Sequence, residues 1–150
     1  MRDFFLNLDS KDYDIEVYGL DKIKMLENIL KKYGSVSLVG KSFGVLKFAY
    51  KKEKYDFSFP RLEEKIAKGH RGFNIFSNGN LDFKQASLRR DFTINAMGYD
   101  IEKKQFLDPF NAKEDIKSKI LRHIKDETFI EDTLRVYRAI QFCARFKYKL

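Results

Sequence analysis

Three aspartates near the start of the chain have the type and spacing of a cation-binding site. Asp12 and Asp14 stand two residues apart in a run that alternates apolar and polar residues, and Asp56 lies in a second such run at 54–59. Because successive side chains of a β-strand point to opposite faces, Asp12 and Asp14 share one face, and Asp56 joins them if the two strands are neighbours in one sheet. Solvated surface charge is the alternative interpretation.

Carboxylates that lie close together need a cation. Their charges repel each other unless they are neutralised, and a site made of oxygen ligands suits Mg²⁺. Two such ions about 4 Å apart can hold the attacking and leaving oxygens of a phosphoryl displacement. The chemistry open to this face is therefore metal-assisted phosphoryl transfer.

The same alternation predicts which side chains of these two strands face the core. Apolar residues at every second position should point inward, and the polar residues between them outward. The inward set is Tyr13, Ile15, Val17, Tyr55, Phe57 and Phe59. The outward set contains the three aspartates together with Glu16 and Ser58.

A second polar cluster lies at residues 89–97. Asp91 and Asn95 are four residues apart, so they share a face if the segment is helical. The planar guanidinium of Arg90 matches phosphate, whereas Asp and Asn side chains suit ribose hydroxyl groups. The alternative is a surface ion pair ahead of a buried strand.

The last segment, 131–146, predicts an amphipathic helix that begins at Glu131 and Asp132. Glu131, Arg135 and Arg138 share a face at helical spacing. The side predicted to be buried contains Leu134, Tyr137 and Ile140. Asp132 also suits the N-cap of this helix, where its carboxylate would accept a backbone N–H.

The elements around these clusters alternate between strands and helices. Apolar residues at helical spacing predict a helix over 22–32, and shorter helices are predicted at 82–94 and 111–118. Strands are predicted at 13–18, 35–40, 44–50, 54–59, 95–100 and 105–107. Residues 61–72, rich in charge and glycine, indicate a loop with some helical character. The fold class is mixed α/β (α+β), with strands early and helices late.

One phosphate-binding motif is excluded. Gly40-Lys41-Ser42 ends like a P-loop, but position 35 is Ser where the motif requires Gly. The residues that follow indicate a turn into a strand and not the helix that a P-loop opens.

The composition limits the class of protein and its partners. Lys and Arg total 30 against 22 Asp and Glu, and the net charge of +8 favours a nucleic acid or nucleotide partner or, equally, a solvated basic surface. A single cysteine excludes an intramolecular disulfide, and the two histidines disfavour a histidine-built zinc site. With no apolar stretch of roughly 20 residues and no signal-peptide pattern, we expect a cytoplasmic protein without a membrane partner; the oligomeric state stays open.

Several runs of the sequence resemble, in order, the signatures of the class II nucleotidyltransferases, which comprise the CCA-adding enzymes and the bacterial poly(A) polymerases. The run QASLRRDFTINAMGYD at 85–100 resembles their second signature, and Arg2-Asp3 through Asp14 resembles the end of the first. Further matches lie at 40–45, 56–61, 68–73, 108–110 and 131–138. The resemblance implies a nucleotidyltransferase-type head at 1–121, with a mixed or antiparallel sheet flanked by helices, and the start of a helical neck at 122–150.

The resemblance also implies roles for individual residues. Asp12 and Asp14 would bind two catalytic Mg²⁺ ions, with Asp56 as a weaker third carboxylate. The residues that would contact ribose and triphosphate are Arg2, Asp3, Arg90, Asp91 and Asn95. Asp132 and Arg135 would read the Watson–Crick edge of the incoming base as acceptor and donor. Arg138 and Glu131 would support them.

The implied reaction adds CMP and AMP from CTP and ATP to the 3′ end of tRNA and releases pyrophosphate. A poly(A) polymerase, or an enzyme that adds only CC or only A, is the alternative within the class, because the head motifs do not separate these activities. A non-catalytic nucleotide-binding fragment is the alternative from another class, because the family's first strand and its Gly-Gly pair do not precede Arg2. We therefore expect a chain truncated at both ends relative to the family, and weak or no activity from the chain alone.

Overall fold

Residues 1–10, 12–20, 22–39, 44–65, 73–77 and 79–150 are described by the computed structural model. The chain divides into two units. The sheet unit comprises Ser10–Glu64 and Ile75–Asp82, and the helical unit comprises Met1–Asp9, Lys65–Asn74 and Phe83–Leu150. The excluded motif at 40–42 and most of the family-like run at 68–73 lie outside the described residues.

The sheet unit is built on a four-stranded mixed sheet. Its strands are β1 (Tyr13–Glu16), β2 (Ser35–Val39), β3 (Val45–Tyr50) and β4 (Glu53–Ser58), in the spatial order β1-β4-β3-β2. β1 runs parallel to β4, and the other two pairs are antiparallel. All four strands lie where the alternating sequence pattern predicts them.

Helix α2 (Ile23–Leu30) covers the apolar face of this sheet. Leu26 and Leu30 lie one turn apart on the same side of the helix, and both are buried against Leu46 and Phe48 of β3. The helix thus confirms the spacing-based prediction over 22–32. It leaves the opposite face of the sheet to the polar residues.

The predicted inward positions of β1 and β4 are confirmed for four of the six residues, and Tyr13 is an exception. Val17, Tyr55, Phe57 and Phe59 pack in or against the core of the sheet unit. Tyr13 is 47% exposed, although its ring lies 5.2 Å from that of Tyr55. β1 is an edge strand of the four-stranded sheet, so the beginning of the strand has a neighbour on one side only.

Gly34 allows the chain to pass directly from α2 into β2. A Cβ atom at this position would fall on the carbonyl oxygen of Ala49 and would lie 2.9 Å from the ring of Phe48. We expect Gly34→Ala to lower the free energy of unfolding by about 3 kcal/mol and the Tm by roughly 10 °C, as measured by thermal unfolding. At Gly19 the space is open and only the positive φ of 73° opposes a side chain. Gly19→Ala should therefore cost about 1 kcal/mol, and an equal loss in both variants would contradict the packing account.

Two further strands, β5 (Arg61–Lys65) and β6 (Phe73–Ser77), form a separate two-stranded sheet. The prediction of a loop with helical character at 61–72 was wrong for residues 61–65. The charged residues of β5 show no apolar alternation, because a two-stranded sheet outside the main sheet need not bury one face. Residues 66–72 lie outside the described part of the chain.

The described elements of the helical unit pack around an apolar core. Its helices are α1 (Arg2–Phe5), α3 (Phe83–Ser87), α4 (Ala112–Ser118), α5 (Asp126–Glu131) and α6 (Leu134–Phe146), with a 3₁₀ turn at Thr93–Asn95 and a hairpin of β7 (Gly98–Asp100) and β8 (Gln105–Leu107). The buried core consists of Phe92, Ile94, Leu121, Ala139, Phe142 and Tyr148. The helix predicted at 111–118 and the strand at 105–107 are confirmed. The strand predicted near 95–100 is limited to Gly98–Asp100, because Asn95 belongs to the 3₁₀ turn. Of the described helices, none is long and apolar enough to cross a bilayer.

Two helices of this unit differ from their predicted bounds. The helix predicted at 82–94 is limited to α3 and the separate 3₁₀ turn. The helix predicted at 131–146 begins at Leu134, because Asp132 adopts extended backbone angles that interrupt it after α5.

The prediction for the buried side of α6 was also wrong. Leu134, Tyr137 and Ile140 are 41%, 70% and 60% exposed. The helix carries a second apolar stripe, and it is Ala139 and Phe142 of that stripe that enter the core beside Phe92. Helical spacing alone does not decide which apolar stripe is buried, because packing against distant residues such as Phe92 selects it.

Candidate active site

The predicted carboxylates lie on the polar face of the four-stranded sheet. Because β1 and β4 are paired in register, Asp14 is the direct neighbour of Asp56. Asp12 stands one residue before β1 and lines the same shallow concavity, which has a volume of about 680 Å³. The structure thus brings the three aspartates together on one open face.

Lys47 of β3 also belongs to this face, although sequence analysis did not single it out. It stands opposite Asp56 in the sheet, and its Nζ lies 3.3 Å from Asp56 Oδ2. A partly exposed ion pair of this kind contributes about 0–1 kcal/mol. A bound cation or anion can therefore replace it at little cost. The alternation of residues 44–50 places Lys47 on the polar side and was the signal that could have identified it.

The carboxylates on this face can supply part of the coordination shell of Mg²⁺, and water and substrate phosphates would supply the rest. No group of three or more His, Cys, Asp or Glu side chains is arranged to hold a metal ion within the described residues. Mg²⁺ is commonly bound by one or two carboxylates, with water and substrate phosphates completing its octahedron. The exposed carboxylates of Asp12 and Asp14 suit that incomplete set of protein ligands.

Five of the predicted nucleotide-binding residues form one hydrogen-bonded network in the helical unit. Asp91 is central: its Oδ1 accepts from Asn95 Nδ2 at 2.9 Å and its Oδ2 from Arg138 Nε at 2.6 Å. Arg2 Nη1 donates to Asn95 Oδ1 at 2.7 Å, and Arg2 Nε donates to Asp3 Oδ1 at 2.8 Å. We call this set of residues the Asp91 network.

The local backbone brings the members of the Asp91 network together. A continuous helix through Asp91 and Asn95, as the sequence predicted, does not form. The 3₁₀ turn at Thr93–Asn95 instead brings the Asn95 side chain within hydrogen-bond distance of Asp91. Asp91 is only 8% exposed, and Phe92 N also donates to its Oδ1 at 2.8 Å. A carboxylate that is nearly buried needs such donors to offset its lost hydration.

Two aromatic rings of α6 support the arginines of the network. The guanidinium of Arg2 lies 5.3 Å from the ring of Phe142 and 5.2 Å from that of Phe146. The guanidinium of Arg138 lies 5.2 Å from the Phe142 ring. Arginine is attracted to the faces of aromatic rings, so Phe142 holds both cations. The spacing 138, 142 and 146, one helical turn each, was the signal that sequence analysis left unused.

Arg90 and Arg135 bind backbone carbonyl groups in the same unit. Arg135 is 9% exposed, and it donates from Nη2 to Arg89 O at 2.6 Å and from Nη1 to Arg90 O at 3.3 Å. Arg90 Nη1 donates to Asn95 O at 2.8 Å. A guanidinium has five N–H donors, so these contacts position Arg135 without using all of its capacity.

The junction between α5 and α6 contains the other two predicted residues. Asp132 Oδ1 accepts from Leu134 N at 3.0 Å, which is the helix-capping contact that its sequence position allows. Glu131 is the last residue of α5. The aspartates of the sheet face belong to the sheet unit, whereas the Asp91 network and this junction belong to the helical unit.

The mixed sheet with aspartates on its open face and the arginine-rich network agree with the nucleotidyltransferase-type head that the sequence resemblance implies. The chain belongs to the family of the poly A polymerase head domain, whose family model matches residues 1–122.

Similarity to individual proteins extends over nearly the whole chain. The CCA-adding enzyme of Buchnera aphidicola is 40% identical over 146 residues, which cover 97% of this chain and 32% of that protein. The multifunctional CCA protein of Pseudoalteromonas atlantica is 37% identical over 146 residues, with coverage of 97% and 34%. The chain therefore spans about a third of the length of these curated relatives.

Solved structures of a tRNA nucleotidyltransferase and of a CCA-adding enzyme have the same fold as this chain. A tRNA nucleotidyltransferase complexed with a primer tRNA and an incoming ATP analogue matches with a TM-score of 0.76 and 28% identity, over 99% of this chain and 40% of that chain. A CCA-adding enzyme without ligands matches with a TM-score of 0.83 and 27% identity, with coverage of 99% and 35%.

Proposed function

We propose that this chain forms the catalytic head of an enzyme that adds CMP and AMP from CTP and ATP to the 3′ end of tRNA. The observation that carries the proposal is the register of Asp14 beside Asp56 on an open sheet face that Asp12 also lines. The relatives that are 37% and 40% identical to this chain over 146 aligned residues are a multifunctional CCA protein and a CCA-adding enzyme, which supports the same activity.

In the proposed reaction the 3′-hydroxyl of the RNA loses its proton to solvent, its oxygen attacks the α-phosphorus of the nucleotide, and the bond to the leaving pyrophosphate breaks. Asp12 and Asp14 would hold Mg²⁺, with Asp56 as a weaker third carboxylate. Bound Mg²⁺ supplies positive charge against the phosphate oxygens and the reacting oxygens. The strand pairing places Asp14 beside Asp56, and Asp12 precedes β1 on the same face, so the carboxylates are grouped before the substrates arrive.

The Asp91 network and Arg90 are proposed to bind the ribose and the triphosphate. Asn95 and Asp91 offer groups that suit hydroxyls, and Arg2 and Arg90 offer guanidinium groups that suit phosphate. The hydrogen bonds inside the network fix these side chains before a nucleotide binds. Such preorganisation lowers the entropic cost of binding.

Base recognition is proposed for Asp132 and Arg135, with support from Arg138 and Glu131. An aspartate acceptor beside an arginine donor complements the Watson–Crick edges of C and A. Arg135 is held by the Arg89 and Arg90 carbonyls, which would give it one orientation toward a base. The same proposal divides the chain into a nucleotidyltransferase head at 1–121 and the start of a helical neck at 122–150.

The activity is tested by nucleotide incorporation in a hybrid protein. Because the chain spans a third of its relatives, it replaces the matching segment of the Buchnera aphidicola enzyme. We expect Mg²⁺-dependent transfer of label from CTP and ATP to a tRNA that lacks its 3′ CCA. The unmodified Buchnera enzyme is the positive control. A hybrid that folds and binds tRNA but transfers no label would overturn the proposal.

A further inference from the structure

The polar face of the four-stranded sheet changes in charge from one edge to the other. One row across the strands reads Asp14, Asp56, Lys47 and Ser37, because each residue stands opposite the next in the strand pairing. The acidic residues therefore occupy β1 and β4, whereas β3 and β2 contribute an ammonium group and a hydroxyl group.

A second row on the same face has its ammonium group on β4, two residues from Asp56. Lys54 of β4 stands opposite Ala49 of β3, which in turn stands opposite Ser35 of β2. Both serines and Lys54 are exposed, and all of these residues line the concavity that contains the aspartates. The small side chain of Ala49 leaves room between Lys54 and Ser35 for a ligand.

We propose that Lys47, Lys54, Ser35 and Ser37 form a subsite for the phosphodiester backbone of RNA beside the carboxylates. The proposal deepens the proposed function, on which it rests, because it places the end of the RNA on the sheet face. Lysine ammonium and serine hydroxyl groups are common phosphate donors in nucleic-acid complexes. The Lys47–Asp56 ion pair keeps Lys47 on this face until a phosphate replaces the carboxylate as its partner.

The spacing of the two rows favours an extended RNA strand over a compact triphosphate. Side chains on one face recur every second residue, so the rows lie roughly 7 Å apart along the strands. Lys47 and Lys54 are diagonal neighbours on the paired strands β3 and β4, a separation of roughly 7–8 Å between positions. That separation suits successive phosphates of a single strand, whereas the phosphorus atoms of a triphosphate share bridging oxygens and lie much closer. Both ligands have phosphate oxygens, so the experiment must separate them.

The test uses the 150-residue chain and a fluorescein-labelled single-stranded RNA with a free 3′-hydroxyl. In the double variant Lys47→Gln and Lys54→Gln, fluorescence anisotropy should show an increase in Kd of about tenfold at low salt. The slope of log K against log salt should fall by about 1.4, since each phosphate contact to a single strand contributes about 0.7. The matched control, Lys22→Gln with Lys32→Gln, removes the same charge at the two ends of α2, on the other side of the sheet.

The outcomes separate the subsite from its alternatives. Equal losses in the two double variants would overturn the proposal, because they would reflect only the net charge of the chain. A loss of CTP binding with unchanged RNA binding would also overturn it and would assign the lysines to the triphosphate. A hybrid enzyme that fails to transfer label would refute the proposed function, whereas a loss of RNA binding confined to the Lys47 and Lys54 variant would still show that this face binds single-stranded RNA.

Discussion

Replacing Asp14 by Asn is expected to reduce kcat/KM for CTP incorporation by the hybrid enzyme about a thousandfold or more. The substitution keeps the size of the side chain but removes the charge that would hold Mg²⁺ opposite Asp56. Asp14 is exposed, so the Tm of the 150-residue chain should stay within a few degrees of the original value. The measurement is initial-rate incorporation of labelled CTP, together with Mn²⁺ binding in the presence of CTP.

The matched control for this variant is Glu16→Gln. Glu16 lies two residues further along β1 on the same face, but it accepts a hydrogen bond from the Tyr18 hydroxyl. Its variant should retain most of the activity and of the Mn²⁺ binding. Wild-type turnover by the Asp14 variant, or an equal loss in the two variants, would contradict the assignment of Asp14 as a metal ligand.

Replacing Asp91 by Asn is expected to affect both stability and nucleotide binding. The neutral amide cannot accept from Arg138, Asn95 and Phe92 N together, and it leaves Arg138 without its carboxylate. We expect the free energy of unfolding to fall by about 3 kcal/mol. The KM for CTP and ATP should rise by about tenfold or more, because Arg2 and Asn95 lose their fixed positions.

The variant Asp115→Asn separates the loss of stability from the loss of nucleotide binding. Asp115 is also buried, at 5% exposure, and accepts from Thr93 Oγ1 at 2.7 Å and Arg122 Nε at 3.1 Å. The variant should lose comparable stability without a change in the KM for nucleotides, measured at a temperature at which both variants are folded. If both variants raise KM equally, the Asp91 network serves folding alone.

The carboxylate face could be predicted because it depends on a local property of the backbone. Alternation along a strand places Asp12 and Asp14 on one side whatever the strand pairs with. The sequence predicted that Asp56 joins Asp14 only if their strands are adjacent, because strand order is decided by contacts between segments far apart in sequence. The same limit explains why Lys47 was missed: its significance appears only once β3 is placed beside β4.

The helical unit was harder to predict for a related reason. Asp91 and Arg138 are 47 residues apart, and no periodic pattern connects them. On α6 the sequence offers two apolar stripes, and the choice between them depends on how Phe142 fits beside Phe92. Arg135 is buried, although charged residues are usually exposed. Its burial is tolerated because two backbone carbonyl groups accept hydrogen bonds from its guanidinium.

The nucleotide sequence that the hybrid enzyme adds to a tRNA tests the central claim most directly. The substrate is a tRNA that ends immediately before the CCA triplet, supplied with all four nucleoside triphosphates and Mg²⁺. Sequencing of the extended 3′ ends should show C, C and A added in that order, followed by termination. A run of A residues on the same tRNA would instead assign the head to a poly(A) polymerase and contradict the proposed function.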